Sequence, residues 1–560
     1  MRKILTRASA LVLTLSLAVP AASAVSYRDI PDGAALVPEV EKAVEYGLMQ
    51  GYTENTFGYS DPMTRAQFAT VLGRMMGWFD DDQTLKLYIT PAMEVNYEDV
   101  SSTDWNAISC AAQWDVVETY MPFRPHEPIT RGEMAEMLVR ALGLKTAAQG
   151  LSSNRMIPFS EFNHHTPFTD LPDGNEGYIS VAYSIGMTKG TSATTFSPDL
   201  TATRAQVAAM LVRIYEKLMH EPEFAHAFYA ISSYDQLSLA AGKDTVSAGW
   251  SRMTWDGEEA LLSTTSANGN EYCIPSGYEE VTDYLENESI PLHLSVVMFQ
   301  GDGVRELLAS PEGRSQAVAE IIHELTVDYR KLRENPYSGV TIDFEGFGAE
   351  QRDNFAAFLA ELKDELTVLE KELFVCVAPV PLGSSVQQNA YDYQAIAAQA
   401  DKLILMVHDY DGRELLVGTQ TYRYHPTAPL SEIYGDIRDV VELVPPEKVL
   451  VAYSARNVAW QIDENNLLAS STPVYVSNDT LARRLEQSDT FKGWSNDYQQ
   501  PYAIYTTEDG FRYYVWYDNA RSVELRQNAA HLLDCGGVSL WRLGTIPDYS
   551  HWNWANLFHS

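Results

Sequence analysis

The chain has 560 residues, more than one hydrophobic core normally serves, so several domains are expected. Its formal charge of −36 argues against nucleic acid as a partner and repels anionic polymers at long range; an anionic glycan would have to be held by local basic side chains. Four cysteines, Cys110, Cys273, Cys376 and Cys535, show no short paired spacing, so neither a metal site nor a disulfide framework is indicated, and no cofactor is expected.

The chain opens on Met1-Arg2-Lys3, an apolar stretch from Ala8 to Val19 and the small residues Ala22-Ser23-Ala24. A basic start, a hydrophobic middle and a small-residue cleavage site make a secretory signal peptide over residues 1–24. The apolar run is shorter than the ~20 residues of a membrane span, and no later segment is apolar enough, so no membrane span remains after cleavage.

A repeat with a period of about 70 residues follows, three times over. Each copy opens with an aromatic-x-Asp-aliphatic element: Tyr27-Arg28-Asp29-Ile30, Tyr97-Glu98-Asp99-Val100 and Phe168-Thr169-Asp170-Leu171. Each closes with a capping box, Thr64-Arg65-Ala66-Gln67, Thr130-Arg131-Gly132-Glu133 or Thr203-Arg204-Ala205-Gln206, which satisfies free backbone donors at a helix start. Apolar residues then recur at helical spacing: Phe68, Val71, Leu72 and Met75; Met134, Met137, Leu138 and Ala141; Val207, Met210, Leu211 and Ile214. Neither the cap nor the stripe needs Arg65, Arg131 or Arg204. Physics leaves two readings open for them: a fork beside a helix N-terminus that takes carboxylate or phosphate, or ion pairs with acids of their own repeat.

These copies resemble S-layer homology modules in the Thr-Arg-Ala-Gln/Glu signature and the Phe/Tyr-x-Asp element. The resemblance implies a three-pronged all-α domain, with copies at 25–90, 91–150 and 160–222, that binds a pyruvylated secondary cell-wall polysaccharide. Arg65, Arg131, Arg204, Asp29, Asp99 and Asp170 are then the candidate wall-polysaccharide contacts. The third copy sets Ser197-Pro198-Asp199 farther from its threonine than Pro62 and Pro128 are from theirs. The second reads Trp114-Asp115-Val116-Val117-Glu118 where the first has Met49-Gln50-Gly51, so its groove is expected to be degenerate.

From about Phe224 onward, short aliphatic runs alternate with helical stretches, as in βα units around a parallel sheet. Eight strands are predicted: 227–231, 245–250, 292–297, 339–343, 373–377, 402–407, 448–453 and 538–541, with amphipathic helices at Gln316 to Arg333 and Gln351 to Leu369. An eight-stranded (β/α)8 barrel over 224–560 is the economical closure, giving a multidomain chain with an α/β second part. Cys376 reads as a buried strand residue.

In the fourth strand, side-chain alternation sends Thr341, Asp343 and Glu345 one way and Val340, Ile342 and Phe344 the other. Two acids at i and i+2 raise each other's proton affinity, which leaves a protonated carboxyl available as a general acid. Alternation gives no preference between Asp343 and Glu345, and an exposed strand end with solvated acids is the other reading.

Residues from about 225 to 558 resemble glycoside hydrolase family 18, within its branch of spore-germination and cell-wall N-acetylglucosaminidases. The family's fourth-strand Asp-Gly-x-Asp-x-Asp-x-Glu pattern is matched at Gly339, Asp343 and Glu345, with Ser338 and Thr341 for its first two aspartates. Its Met-x-Tyr-Asp pattern is matched at Met406 and Asp409, with His408 for tyrosine. Val515-Trp516-Tyr517-Asp518-Asn519-Ala520 resembles the branch's Val-Trp-Tyr-Glu-Asp-Ala motif, and Gly537 to Gly544 resembles its terminal strand. The resemblance implies that Glu345 protonates the glycosidic oxygen while the sugar's own acetamido group attacks, a retaining route without a protein nucleophile. It further implies that Asp343 holds the acetamido N–H, that Asp409 assists, and that Trp541 floors the subsite. In place of the tyrosine, either His408 donates a similar bond, or Tyr410 reaches in, or His408 packs at the strand end with activity reduced. Tyr229 either lines the pocket or is a buried aromatic. The expectation is a secreted, wall-anchored hydrolase acting on peptidoglycan or another N-acetylhexosamine glycan; the alternatives are a chitinase-type hydrolase and a non-catalytic glycan-binding barrel.

Overall fold

The computed structural model describes residues 27–78, 97–102, 104–152, 155–156, 166–172, 174–220, 223–230, 232–327, 335–380, 389–412 and 415–547. The expected signal peptide, and the end of the helix expected to run to Arg333, lie outside these residues. The chain divides into two compact units, one holding the described residues up to Ala141 and those from 166 to Glu216, the other holding Leu142 to 156 and the residues from Lys217 onward.

In the first unit each copy contributes a pair of helices: α1 (Val37–Glu45) and α2 (Arg65–Met75), α3 (Trp105–Gln113) and α4 (Arg131–Ala141), α5 (Glu176–Ser184) and α6 (Arg204–Leu218). The capping boxes form as their sequence dictates. Thr64 Oγ1 accepts from Gln67 N while Gln67 Oε1 accepts from Thr64 N, and the same exchange occurs at Thr130 with Glu133 and at Thr203 with Gln206. All twelve apolar stripe residues are buried. Isolated bridges pair Pro62 with Thr203, Thr64 with Pro128, and Thr130 with Thr201, so the three copies join in a closed circle. In that circle the counterpart of Pro62 and Pro128 is Thr201, and not Pro198.

The second unit is built on eight parallel strands: β1 (Phe224–Tyr229), β2 (Thr245–Trp255), β3 (Leu292–Met298), β4 (Tyr337–Phe344), β5 (Glu372–Val377), β6 (Lys402–Met406), β7 (Val449–Ser454) and β8 (Gly537–Trp541). Each pairs with its neighbour in order, and the β8–β1 and β1–β2 pairings close the barrel. All eight predicted strands are present. The first begins three residues before its expected start, because His226 belongs to it as an inward-facing polar residue. The helix expected from Gln316 begins at Pro311, where Ser310 accepts from Gly313 N and proline fills the first helical position.

Val340, Ile342 and Phe344 face outward as alternation requires, with the Phe344 ring stacked on Phe358 of the helix Arg352–Val368 at 5.2 Å. Inside, the lower barrel carries a hydrogen-bonded polar belt. His226 bridges Ser539 (2.7 Å) and Ser247 (2.8 Å), Ser247 meets Thr341 (2.7 Å), and Thr341 meets His293 (3.3 Å). Gly339 makes room for it, since a Cβ there would lie 2.5 Å from the His293 ring. Burial holds both imidazoles below their ordinary range, against the pull of Glu372 on His293.

A five-stranded antiparallel sheet is inserted between β7 and β8, formed by Val458–Ile462, Val474–Tyr475, Phe491–Ser495, Gln500–Thr506 and Arg512–Trp516. Its core gathers Tyr422, Trp460, Tyr514 and Trp516. Simple βα alternation gives no sign of this sheet.

Candidate active site

Above the polar belt, at the C-terminal ends of the strands, the interior becomes acidic on one side and apolar on the other. Phe228, Cys376, Leu450 and Ala452 form an apolar floor, against which Met406 and Trp541 pack. The Trp541 ring meets Phe228 edge to face at 5.0 Å. Asp343 stands on the acidic side, 5 % exposed, with its Oδ1 making no hydrogen bond. Burial and then the charge of Glu345 push its carboxyl above the usual carboxylate range, while a bond with the Cys376 thiol pulls the other way. Glu345, one residue past β4, is raised as well, by burial and to a lesser extent by Asp409, against the pull of His408. With Thr341 in the place of a lower acid, Asp343 has Glu345 as its acidic neighbour above and a thiol beside it. A buried carboxyl and a half-buried one, both pushed above the usual range, are suited to general acid chemistry.

Across the mouth, the chain turns sharply after β6 at Asp409, whose φ is 62°, in the left-handed region that aspartate tolerates. Burial works to raise the Asp409 carboxyl, but His408 and Arg456 bring it down to about 2. His408 Nδ1 lies 3.3 Å from Asp409 Oδ2, and Arg456 Nη1 lies 3.0 Å from Asp409 Oδ1. The mouth thus holds one carboxylate pulled below its ordinary range and two pushed above theirs.

The structure brings Glu345, Asp343, His408, Asp409, Met406 and Trp541 to this mouth, and separates two other candidates from it. The Tyr410 hydroxyl donates to Asp436 Oδ2 at 2.6 Å, on the helix Leu430–Val441, so it is engaged away from the acids. Tyr229 faces outward, its ring edge-on to Trp250, which in turn meets Tyr278 of the helix Tyr278–Asn287; the inward ring of β1 is Phe228. Three residues were not singled out in the sequence. Arg456 lies two residues past β7, at the strand end where barrel enzymes place functional groups, and that position was its one available signal. Tyr272 and Tyr391 come from loops with no periodic pattern, yet both lie close enough to feel the charges of Asp343 and Glu345. The Tyr391 hydroxyl also donates to Phe344 O at 2.8 Å, fixing the strand end before Glu345.

In the repeats, each arginine reaches into the next copy. Arg65 Nε donates to Phe123 O at 2.7 Å, Arg131 Nε to Phe196 O at 2.9 Å, and Arg204 Nε to Phe57 O at 2.9 Å, each guanidinium also lying over the ring of the phenylalanine it bonds. The loops that present these carbonyls are held by the repeat aspartates. Asp29 accepts from Phe57 N, Gly58 N and Tyr59 N, Asp99 from Phe123 N and Arg124 N, and Asp170 from Phe196 N and Ser197 N. The first amides of α2, α4 and α6 are occupied too: Arg65 N and Ala66 N donate to Glu127 O and Pro125 O, with equivalent bonds at Arg131, Gly132, Arg204 and Ala205. These helix starts therefore offer an anion the guanidinium and not free backbone donors, and among the described residues none of the three arginines is paired with an acid of its own repeat.

Residues 227–545 match the model of glycosyl hydrolases family 18, and the chain belongs to that family. Residues 26–69, 96–135 and 167–208 match the S-layer homology domain. Among relatives, the chain is 25 % identical over 245 residues to the Bacillus subtilis (strain 168) protein named as the sporulation-specific glycosylase YdhD, covering 44 % of this chain and 54 % of that one. It is 26 % identical over 218 residues to the cortical fragment-lytic enzyme of the same organism, covering 37 % and 47 %. It is 32 % identical over 162 residues to a surface layer protein of Brevibacillus choshinensis, covering 28 % of this chain and 14 % of that one. The chain thus spans about half the length of the first two curated relatives it matches. Among the described residues, no helix is long and apolar enough to cross a membrane.

Proposed function

We propose that the protein is an extracellular, wall-anchored glycoside hydrolase that cleaves after N-acetylglucosamine in peptidoglycan. The observation that carries the catalytic half is the pair of inward carboxyls, Asp343 and Glu345, held above the usual carboxylate range at the barrel mouth. Glu345 gives its proton to the glycosidic oxygen as the bond from that oxygen to the anomeric carbon breaks, and the bond's electron pair stays on the oxygen. The substrate's acetamido oxygen closes onto the anomeric carbon, and Asp343 accepts a hydrogen bond from the acetamido N–H of the resulting oxazolinium. Water then adds to the anomeric carbon, returning a proton to Glu345 and retaining configuration. Asp409, ionised across the mouth, stabilises the positive charge that develops; His408 orients Asp409, and Trp541 with Met406 receives the apolar face of the sugar.

The wall half rests on the three repeats, read as a helical domain over about 25–222 that binds a pyruvylated secondary wall polysaccharide ahead of a hydrolase domain over 224–560. Relatives named as a surface layer protein and a cortical fragment-lytic enzyme support a wall glycan over chitin as substrate. Anchoring raises the local concentration of that glycan.

The test compares wild type with Glu345→Gln on peptidoglycan and on chitin oligomers, identifying the new reducing ends. Peptidoglycan is expected to yield N-acetylglucosamine ends, with a loss on the order of 10²- to 10⁴-fold in the variant. Equal release by both proteins defeats the catalytic reading, and cleavage of chitin oligomers alone makes the protein a chitinase.

A further inference from the structure

The three arginines of the repeat circle occupy equivalent places but unequal surroundings. Arg65 Nη1 lies 2.6 Å from Glu133 Oε1, and the same oxygen accepts from Arg124 Nη2 at 2.7 Å. Arg124 in turn pairs with Glu127 at 2.9 Å, so this groove holds two guanidinium groups matched by two carboxylates. Arg131 is 8 % exposed and meets Phe196 O, the Thr188 hydroxyl at 3.3 Å and an aromatic face. Arg204 is 5 % exposed and meets Phe57 O, Gln50 O at 2.6 Å and the rings of Tyr52 and Phe57. Among the described residues neither has a carboxylate within ion-pair distance. Asp170, the acid nearest in effect to Arg131, is spent on the Phe196 and Ser197 amides. Asp61 acts on Arg204, but from beyond ion-pair distance. A guanidinium removed from water without a bonded countercharge is costly, and an acidic ligand relieves that cost.

The difference lies in two positions of the repeat. The capping-box residue of the facing copy is Glu133 in the first groove, but Gln206 and Gln67 in the others. The left-handed residue after the phenylalanine is Arg124 (φ 60°), where the other copies have Ser197 (φ 59°) and Gly58 (φ 82°). In the third groove a Cβ at Gly58 would lie 2.4 Å from the Tyr52 ring, 3.0 Å from Asp61 Oδ2 and 3.1 Å from Arg204 Cδ, so glycine is what lets the loop lie against the arginine.

We infer that the grooves at Arg131 and Arg204 take the carboxylate of an acidic glycan, and that the groove at Arg65 is filled from within the chain by Glu133. This rests on the reading of the repeats as binders of an acidic wall polysaccharide. It replaces a degenerate turn in the second copy with a specific internal occupant.

Glu133→Gln is the decisive variant, because Gln67 and Gln206 show that glutamine closes the same capping box in this fold. The full chain, wild type and variant, is titrated calorimetrically with a short pyruvylated wall-glycan fragment, and with the same fragment stripped of its pyruvyl group. Two sites are expected in wild type and three in Glu133→Gln, with none for the stripped fragment; thermal unfolding of the two proteins confirms that both are folded. Three sites in wild type, fewer than two, or an unchanged count in the variant overturns the inference while leaving acidic-glycan binding standing. Absence of binding by both proteins, or equal binding of the stripped fragment, removes the underlying reading and the inference with it.

Discussion

The repeat circle and the barrel mouth both end a regular element on charged residues and treat that charge in opposite ways. In the repeats nearly every polar atom near the arginines is committed to a neighbour: guanidinium to carbonyl, aspartate to amide, helix start to the next loop. At the mouth, Asp343 keeps an oxygen with no hydrogen-bond partner, and two acids are raised by burial. In the repeats the arginines spend hydrogen bonds on joining the copies and keep their charge for a ligand, whereas at the mouth a hydrogen-bonding atom is itself left for a substrate.

The largest expected effect lies at the mouth. Asp343→Asn should lower turnover on the order of 10²- to 10³-fold, because its acetamido partner is lost, and yet stabilise the fold. The sign follows from the raised carboxyl: the folded state keeps a proton that the unfolded chain releases above about pH 4, so stability falls as pH rises past that point. The variant lacks this loss. Its melting temperature should exceed wild type by about 2–4 °C at pH 7.5, with the gap closing toward pH 4; scanning calorimetry at both values measures it. An equal gap at both values would place the cause outside Asp343 ionisation.

In the repeats the opposite trade is expected. Arg204→Gln removes two charge-assisted bonds to carbonyls and should cost about 2–3 kcal/mol of the stability of the repeat unit in denaturant unfolding. Hydrolysis of soluble oligomers should stay unchanged. The smallest effect is at Tyr229→Phe, where the outward ring keeps its contact with Trp250, and kcat/KM should stay within about twofold of wild type. A tenfold loss there would return Tyr229 to the pocket.

What the sequence made legible follows the range of the interactions. The eight strands are buried on both faces and stand out as aliphatic runs. The three capping boxes each close within three residues, as Thr64 and Gln67 do. The paired acids follow from alternation along one strand. The arginine partners are not local: Arg204 and Phe57 lie 147 residues apart, and nothing near Arg204 names its acceptor. Alternation also left the facing of Tyr229 open until its strand was placed as β1. The inserted sheet remained hidden because the segment 515–520 reads as a motif and not as the end of the central strand of a second sheet.

The circular hand-off of arginines bears on how such a chain can change. Each copy both gives a guanidinium to the next and receives one from the last, so none of the three is terminal. Deleting one copy by recombination would strand an arginine without its carbonyl and leave a loop without its guanidinium, and inserting a fourth would require every junction to open to a new angle. Copy number is therefore fixed by geometry, while the identity of each junction stays free to drift, as Glu133 beside Arg65 already illustrates.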